Sequence, residues 1–552
     1  MMSSPFASRL RTNYCPRDEE LAQIKALLSE PSQRLKHLDD EIAVLQRALD
    51  KLSEERDALS AYVKAHKALM SPIRRLPLDI LEHIFVACLP THRNCVMSAK
   101  EAPVILGRIC SSWRNISLTT PRLWCRLHIV EPPPPEPANS LSTSSRRLLQ
   151  LEAKVTQRLE VANTWLRRSG QCPLSISLES NPDPPSPGAS VSPARPDLFM
   201  TALVQVASRW QNIRLATQPS ALETLSRLTE DDVPLLKQLE IVHCFGGPPN
   251  DAQWCLSQSG VLHGPSLSKF CISGSNTWST DLPLRWNQLT ALSLFPPCFP
   301  PWGGAHLTCE MVFDILSRCP KLETCKLLVH GPPNEHVADH VVDCPVLHTL
   351  EIHSVGAPII VSACLLSHLW LPELWDFTLR GQEDHRSAST ADSVVSSLAT
   401  SPHLETISID SDAFTKSSLI DFLRGLRPSV KHLHITEPVK MWQPYLDNPA
   451  LDDDSLAALG AHCPTLQELV LLNCHNVSDE GLLCFIISRK PALKRIEVKF
   501  DREKQVDILP GLQSFMADGL ESSITYKDIP PLFSPWQGLP DAPNWNPWSA
   551  SD

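Results

Sequence analysis

The closest approach to a metal site in this sequence is the segment NEHVADHVVDC. His336, His340 and Cys344 are spaced four residues apart, so a helix would bring them to one face, and imidazole and thiolate groups are ligands of zinc. A fourth ligand is missing, and the step to Cys344 crosses the expected end of a helix. We therefore expect surface histidines beside a buried cysteine, with no bound metal and no cofactor.

The acidic run LDDDS at residues 451–455 could suggest a cation site. It lacks the glycine turn and the distal glutamate of an EF-hand loop. Carboxylates are also favourable at the positive end of a helix dipole. We expect a solvated helix N-terminus here.

Sequence motifs for catalysis are absent. With 19 glycines, the chain contains no GxGxxG or GxxxxGK phosphate loop, and HExxH, GxSxG and the protein-kinase motifs are missing as well. We predict no catalytic residues and no enzymatic activity.

Composition narrows the class of partner. The 552 residues carry a net charge of -11 and no basic stripe with interleaved aromatics, which argues against binding to nucleic acid. The longest apolar stretch, at 357–371, is interrupted by Pro358 and His368 and is too short to span a bilayer, and the N-terminus lacks the apolar core of a signal peptide. The 18 scattered cysteines form no CxxC pair. We expect an intracellular protein, cytoplasmic or nuclear, that does not bind membranes.

A heptad pattern of apolar residues lies near the N-terminus, before the other predicted helices and strands. After a flexible stretch at 1–20, apolar residues recur every three and four positions through 21–70, which predicts a helix with a coiled-coil seam. Because proline fits a helix start, Pro31 suggests that the long helix begins near Ser32 and ends near Lys67. Two interpretations remain open, a parallel homodimer or packing against another part of the same chain, and Arg56 and His66 weaken the end of any dimer. The seam residues are Leu35, Leu38, Ile42, Leu45, Leu49, Leu52 and Leu59.

Residues 198–527 repeat a pattern of the form P-x-L-x-x-L-x-L. Copies include CPKLETCKL (319–327) and CPVLHTLEI (344–352), and they follow one another at intervals of about 22 to 36 residues. In L-x-L the two apolar residues point to one face of a short strand, and each copy needs its neighbours to bury that face. Segment 463–486 resembles the cysteine-containing leucine-rich repeat. The resemblance implies an irregular horseshoe-shaped solenoid, with helices such as 310–319 and 454–463 on its convex side.

The intervening x residues would form the opposite face of the strands, where a target would bind. They are of mixed charge, so they do not identify the target: Glu240, Ser293, Lys326, Glu351, Thr378, Ser408, His434, Val470 and Glu497.

Proline-rich segments separate the predicted domains. Residues 131–197 contain two such stretches, with an amphipathic helix and a first strand, CPLSISLES, between them, and residues 528–552 form a tail rich in proline and tryptophan. We expect the proline stretches to be extended linkers.

Residues 71–130 resemble an F-box. The family pattern begins with a Leu-Pro pair, which is followed by a helix with paired aliphatics and an Ile-Phe. A later segment contains a cysteine and a tryptophan. Both parts are matched here, by SPIRRLPLDILEHIFVACLP and by VILGRICSSWRNISLTTPRLWCRLHI. The resemblance implies three short helices that bind the Skp-type adaptor of a cullin ubiquitin ligase. The implied adaptor-binding residues are Leu76, Pro77, Ile80, Leu81, Ile84, Phe85, Ile109, Cys110 and Trp113, with Trp124 packed internally.

The sequence therefore predicts a mixed α and α/β chain: a coiled-coil helix, a three-helix F-box and an irregular leucine-rich-repeat solenoid. The implied function is recognition of a protein substrate for a Skp/cullin-type ubiquitin ligase. The alternative is a coiled-coil and repeat scaffold with no role in a ligase. The substrate is not readable from the sequence.

Overall fold

The structure is a computed structural model of the chain. It describes residues 5–10, 12–132, 141–180, 198–217, 223–243, 259–273, 282–295, 307–330, 341–356, 358–383, 392–438 and 450–527. The chain divides into two compact units, Met1–Ile84 and Phe85–Asp552.

The first unit is dominated by one long helix, α1 (Asp18–Leu69), which has no buried residue. Its start is fixed by Glu20, whose carboxylate accepts hydrogen bonds from the Arg17 backbone N–H at 2.9 Å and from the Tyr14 hydroxyl at 2.8 Å. The helix therefore begins upstream of the expected position near Ser32 and contains Pro31 in its interior. Pro31 has no backbone N–H, so one hydrogen bond of the helix is missing there. The helix nevertheless continues on both sides of Pro31.

The F-box-like segment contains two α-helices, α2 (Leu78–Ala87) and α3 (Ser111–Thr119). Shorter 3₁₀ turns accompany them at Pro72–Arg75, Leu106–Arg108 and Pro121–Trp124. The expected set of three short helices is thus two α-helices with 3₁₀ turns between and around them. The turn at Leu106–Arg108 packs on α3.

In the described residues, the second unit is built around a parallel sheet of 14 strands whose spatial order follows the chain order. Its strands are β1 (Arg126–Val130), β2 (Leu174–Glu179), β3 (Trp210–Thr217), β4 (Gln238–His243), β5 (Lys269–Ser273), β6 (Ala291–Phe295), β7 (Thr324–His330), β9 (Thr349–Gly356), β11 (Asp376–Glu383), β12 (Thr406–Asp410), β13 (His432–Thr436), β14 (Glu468–Cys474), β15 (Arg495–Phe500) and β16 (Glu521–Thr525). The two remaining strands, β8 (Val342–Asp343) and β10 (Leu369–Trp370), pair with each other.

Helices connect most of these strands. They are α4 (Leu141–Arg168), α5 (Leu198–Val204), α6 (Cys309–Ser317), α7 (Pro358–Ser367), α8 (Asp392–Leu398), α9 (Lys416–Gly425), α10 (Asp453–His462), α11 (Asp479–Ser488) and α12 (Leu509–Ala517). Consecutive helices from α6 to α11 contact one another, and α7 also packs on β9 and β11. Between β3 and β6 the described connections contain 3₁₀ turns, at Glu223–Arg227, Glu230–Asp232, Gly260–His263 and Trp286–Gln288.

The repeat pattern explains this stack. In every copy of P-x-L-x-x-L-x-L the three apolar positions are buried, as in Leu347, Leu350 and Ile352 of the copy that forms β9. One strand cannot cover its own apolar face, so each repeat is stabilised by its neighbours. The parallel strands in chain order confirm the predicted stack of repeats, and this topology carries the assignment to a leucine-rich-repeat type of fold.

The sheet begins earlier than the repeat pattern indicated. Strand β2 is the predicted first strand, CPLSISLES, but β1 precedes it and lies inside the segment predicted as F-box, so the sheet starts at Arg126. The sequence of β1 is RLHIV, with Leu127 and Ile129 buried, but it lacks the upstream proline and leucine that marked the other copies. The second Pro-rich stretch, residues 181–196, and the tail 528–552 lie outside the described residues.

The loop at residues 90–103 covers the free edge of β1. His128 donates its backbone N–H to the carbonyl of Cys95 at 2.8 Å, and Asn94 exchanges side-chain hydrogen bonds with Ser175 and Ser177 of β2. An uncovered edge strand would present unpaired backbone groups to other chains. The loop thus pairs with the outer side of β1 and is held there by side-chain hydrogen bonds to β2.

Candidate protein-binding surfaces

Helix α2 carries the first part of the F-box-like pattern. Pro77 precedes the helix, and its carbonyl accepts the backbone N–H of Leu81 at 3.1 Å. Proline is tolerated here because the first N–H groups of a helix have no partner within the helix, so a missing N–H costs little. Leu81 and Phe85 are buried, whereas 43% of Ile80 is exposed. Ile84 and Leu76 are half-buried, and Pro77 is exposed.

Helix α3 carries the second part. Its N-cap is Cys110, whose Sγ accepts the backbone N–H of Trp113 at 3.5 Å. The rings of Trp113 and Phe85 lie 4.7 Å apart, so the half-buried tryptophan packs on a fully buried phenylalanine. Cys110 is exposed, and Ile109 is 57% exposed.

The structure thus separates the nine predicted adaptor-binding residues by exposure. Leu81 and Phe85 are interior side chains and offer no surface to a partner in this conformation, because burial has already removed them from solvent. The exposed residues are Pro77, Ile80, Ile109 and Cys110; Leu76, Ile84 and Trp113 are half-buried. Adaptor binding stays a prediction. In this conformation only the exposed and the half-buried residues could contact an adaptor directly.

Trp124 lies in the interior. Its indole N–H donates to the carbonyl of Ser117 at 2.7 Å, its ring meets Trp165 of α4 edge-on at 4.8 Å, and the Arg168 guanidinium lies 4.6 Å from its centroid. This residue joins the F-box-like segment to α4, the helix between β1 and β2 in the chain.

The seam of α1 is exposed along its length. Exposure of its core positions ranges from 41% at Leu38 to 68% at Leu45. Towards the end of the helix, Leu52, Leu59 and Val63 line a shallow groove together with Lys64 and Lys67. The remaining seam residues, Leu35, Ile42 and Leu49, are also exposed.

The x residues of the repeats align in one row across the sheet. Paired register places Ser293 beside Lys326, Lys326 beside Glu351, and Glu351 beside Thr378. The row continues without interruption from β1 to β16, and the predicted x residues all belong to it: Glu240, Ser293, Lys326, Glu351, Thr378, Ser408, His434, Val470 and Glu497. Most are half-buried, so they form a continuous polar face that a partner could contact.

Ion pairs across strands neutralise much of this face. Arg214 reaches Glu179 at 2.7 Å on one neighbouring strand and Glu240 at 3.1 Å on the other. Lys326 lies 2.8 Å from Glu351, and Arg380 lies 2.6 Å from Asp410. The mixed signs seen in the sequence are therefore paired in space.

Glu351 and His434 are among the groups on this face whose pKa is shifted. Hydrogen bonding to His353, opposed by burial and reinforced by Lys326, lowers the pKa of Glu351 to about 2. Burial lowers the pKa of His434, whose Nδ1 lies 3.4 Å from the Ser408 hydroxyl. At neutral pH the row therefore holds a carboxylate and a neutral imidazole.

The metal candidate is not assembled in the described part of the chain. His336 and His340 lie outside the described residues, while Cys344 is buried and its burial raises the thiol pKa to about 12. Among the described residues, no group of three or more histidine, cysteine or carboxylate side chains is placed to hold a metal ion.

The acidic run at 451–455 forms a helix start, as expected. Asp452 is the N-cap of α10 and accepts the backbone N–H groups of Asp454 and Ser455, each at 3.1 Å. Lys416 pairs with Asp454 at 2.7 Å, and Asp453 accepts the Ser478 hydroxyl at 2.6 Å. These carboxylates are occupied by protein donors.

Two clusters escaped the sequence reasoning. Asp479, inside the cysteine-containing repeat, is fully buried and accepts hydrogen bonds from Arg502 at 2.9 Å, from the Val506 backbone at 2.7 Å and from the Tyr526 hydroxyl at 3.1 Å. Its hydrogen-bond partners belong to the next repeat and to the segment after it, so no local sequence pattern predicts these contacts.

The second cluster joins adjacent helices. Hydrogen bonding from Cys309 lowers the pKa of Cys364, an interaction with the nearby His368 lowers it further, and burial opposes both. Cys309 opens α6 and Cys364 lies in α7. The only sequence signal for this pair is that each cysteine stands in the helical part of its repeat.

No helix among the described residues is long and apolar enough to cross a membrane.

No protein-family model matches the chain, and no curated protein matches its sequence. Among solved structures, the chain is similar to the leucine-rich repeat-containing protein LegL7 from Legionella pneumophila, at 14% identity over 52% of this chain and 92% of that one, with a TM-score of 0.30. It is also similar to TLR13 in a complex with ssRNA13, at 15% identity over 68% of this chain and 52% of that one, with a TM-score of 0.31. TM-scores this low do not support the fold assignment, which is based on the order and register of the strands instead.

Proposed function

We propose that the chain is a non-catalytic, intracellular substrate-recognition subunit of a Skp/cullin-type ubiquitin ligase. The F-box-like segment binds the adaptor, and through it a cullin, while the polar face of the sheet holds a protein target. The observation that carries the proposal is the exposure of Ile80 and Ile109, two large apolar side chains at positions that the F-box pattern assigns to the adaptor.

Energetics support this choice of residues. Covering a fully exposed isoleucine contributes about 1.5–3 kcal/mol, and a few such anchors usually dominate an interface. Leu81 and Phe85 act indirectly, because their burial and the contact of Phe85 with Trp113 hold the helices that present the exposed residues.

The adaptor test uses exposed positions only. Full-length chain and a Skp-type adaptor are co-expressed, and Ile80→Asp and Ile109→Asp are compared with the wild type in co-purification and titration. Ile487→Asp is the matched control, because Ile487 is 53% exposed and lies on a helix of the repeats. We expect each F-box change to weaken binding about tenfold or more, since a charge replaces an apolar anchor, and the control to bind normally.

Failure would be clear in two ways. If the wild type never binds the adaptor, or if the Ile80→Asp/Ile109→Asp double variant still binds like the wild type while remaining folded, the ligase role is excluded. Thermal unfolding of each variant separates lost binding from lost structure.

The alternative function is a scaffold without a ligase role, and the large repeat sheet favours protein interaction in either case. Target abundance separates the two, once a target has been found by proximity labelling with the proteasome blocked. In the ligase case the target accumulates in cells that carry Ile80→Asp/Ile109→Asp; in the scaffold case its level is unchanged. Point changes are preferable to deletion of 71–130, because that deletion also removes β1.

A further inference from the structure

The long helix α1 exposes an apolar stripe that nothing in the described part of the chain covers. Leu45, Leu49 and Leu52 are each more than 60% exposed, and the helix has no buried residue over its whole length. Stripes of this kind on an isolated helix are a liability in a free protein, since they associate with any matching surface. The 3.5-residue spacing is the spacing of a coiled coil, which points to another helix as the occupant.

The charged residues beside the stripe indicate that the partner helix is α1 of a second copy of this chain. With Leu35 and Ile42 at a positions, Arg34 falls at g and Asp39 at e, five residues apart. In a parallel, in-register pair of identical helices, a g residue faces the e residue five positions further along the other helix, so Arg34 of each copy meets Asp39 of the other. Neither residue forms an ion pair within the described part of the chain.

The antiparallel arrangement is disfavoured by the same positions. If residues 35–59 overlap in full but run in opposite directions, Glu41 at g faces Glu55 at g of the other copy, and this repulsion occurs twice. In the parallel arrangement Glu41 faces the neutral Gln46 and Glu55 faces Ser60. The charge pattern therefore selects one direction and one register.

Arg56, the charged residue at an a position, is compatible with this pairing. Its guanidinium is drawn to Asp57 on the outer side of the same helix, with Nη2 2.7 Å from Oδ1. A charged group at a lowers stability but restricts the number of strands and the register, since two such side chains must leave the seam together.

We propose that α1 forms a parallel, in-register two-stranded coiled coil with a second copy of this chain, held by the seam from Leu35 to Leu59 and oriented by reciprocal Arg34–Asp39 ion pairs. This pairing is independent of adaptor binding, because it uses no residue of the F-box-like segment. In a ligase it would give two target-binding sheets per assembly and raise avidity for a target with two sites.

The test uses the full-length chain and reciprocal charge changes. Sedimentation equilibrium should give a dimer for the wild type, and both Arg34→Glu and Asp39→Arg should raise its dissociation constant about tenfold, because two attractive pairs become repulsive. Mixing the two single variants should restore pairing. In the mixed dimer the introduced glutamate faces the introduced arginine, and the native Arg34 of one copy faces the native Asp39 of the other, so both contacts are attractive. A tag on one partner and native mass spectrometry count the mixed dimers.

Arg47→Glu is the matched control, because Arg47 falls at f, on the side of the helix opposite the seam. It should leave the dissociation constant unchanged, and its mixture with Asp39→Arg should show no preference for mixed dimers. A monomeric wild type at micromolar concentration, a higher oligomer, or random mixing of the two seam-flank variants would each overturn the proposal.

Discussion

At the residue scale, the polar face of the sheet depends on contacts between repeats. Glu351 accepts hydrogen bonds from His353 on its own strand, at 2.7 Å, and pairs with Lys326 on the neighbouring strand, at 2.8 Å. Lys326 and Glu351 are close in space but remote in sequence. The lowered pKa of Glu351 therefore could not be predicted from the residue types alone.

Glu351→Gln should lower the free energy of unfolding at neutral pH by about 1–3 kcal/mol, since the side chain is largely shielded and its charged form is hydrogen-bonded. The pKa of Glu351 is lower in the folded chain, at about 2, than its ordinary value of 4.5. Its stabilisation is therefore complete above the ordinary value and is lost as the pH falls towards 2. Urea unfolding of wild type and variant at several pH values measures the difference.

The control is Glu373→Gln, because Glu373 is exposed and forms no ion pair in the described residues. The prediction is wrong if the difference between wild type and Glu351→Gln stays constant from neutral to acidic pH.

Cys364 should react with iodoacetamide at neutral pH faster than its limited exposure suggests, because its pKa is lowered and the thiolate is the nucleophile. Cys309→Ala removes the hydrogen bond and should slow this alkylation, whereas Cys309→Ser keeps a donor and should largely preserve it. Peptide mass spectrometry follows the site, with the exposed Cys484 as the internal reference. Equal rates in the Ala and Ser variants would contradict the role given to Cys309.

At the element scale, the end of the repeat stack is fixed by one buried carboxylate. Asp479 begins α11, and its hydrogen bonds reach Arg502 after β15 and Tyr526 after β16. Arg502 is itself mostly buried and lies with its guanidinium 4.1 Å from the Phe500 ring. The helix, the loop and the last strand are therefore joined at a single point.

Asp479→Ala should lower the free energy of unfolding by about 3–5 kcal/mol, since it leaves the mostly buried charge of Arg502 without its carboxylate partner. Differential scanning calorimetry or urea unfolding measures the loss. The neighbouring Glu480→Ala is the control, because Glu480 is exposed at the start of the same helix. A loss below about 1 kcal/mol, as is typical of a surface pair, would rule out the structural role of Asp479.

At the scale of the whole molecule, the two units differ in how they are stabilised. The sheet of the second unit buries the apolar residues of every repeat, while α1 in the first unit buries none. The sheet is a stack in which each strand needs a neighbour, and the loop at 90–103 completes its first edge.

Removal of residues 1–70 should leave the remaining chain folded, because no buried residue of α1 is lost. Removal of residues 1–130 should cause aggregation, because it strips β1 and the covering loop from β2 and exposes an apolar strand edge. Size-exclusion chromatography with light scattering compares the two truncated chains. A folded, soluble chain after the longer truncation would show that β1 and its loop are dispensable.

Much of this architecture was readable from the sequence because its causes are local. The heptads of α1 and the P-x-L-x-x-L-x-L copies each specify an apolar face by spacing alone, and the burial of Leu347, Leu350 and Ile352 in one copy follows from that spacing. The x residues of the sheet face follow from the same alternation. The early start of the sheet at β1 was missed because its RLHIV segment carries the alternation without the upstream part of the repeat.

The sequence by itself determined the repeating elements, their apolar faces and the F-box-like pattern. Only the tertiary structure decided which side chains each face meets: Glu351 with Lys326, Asp479 with Arg502, and Phe85 with Trp113. It also decided that Ile80 is exposed while Phe85 is buried. The physical reason is that spacing fixes the direction of a side chain within one element, whereas its neighbours depend on register and on loops that bring distant segments together.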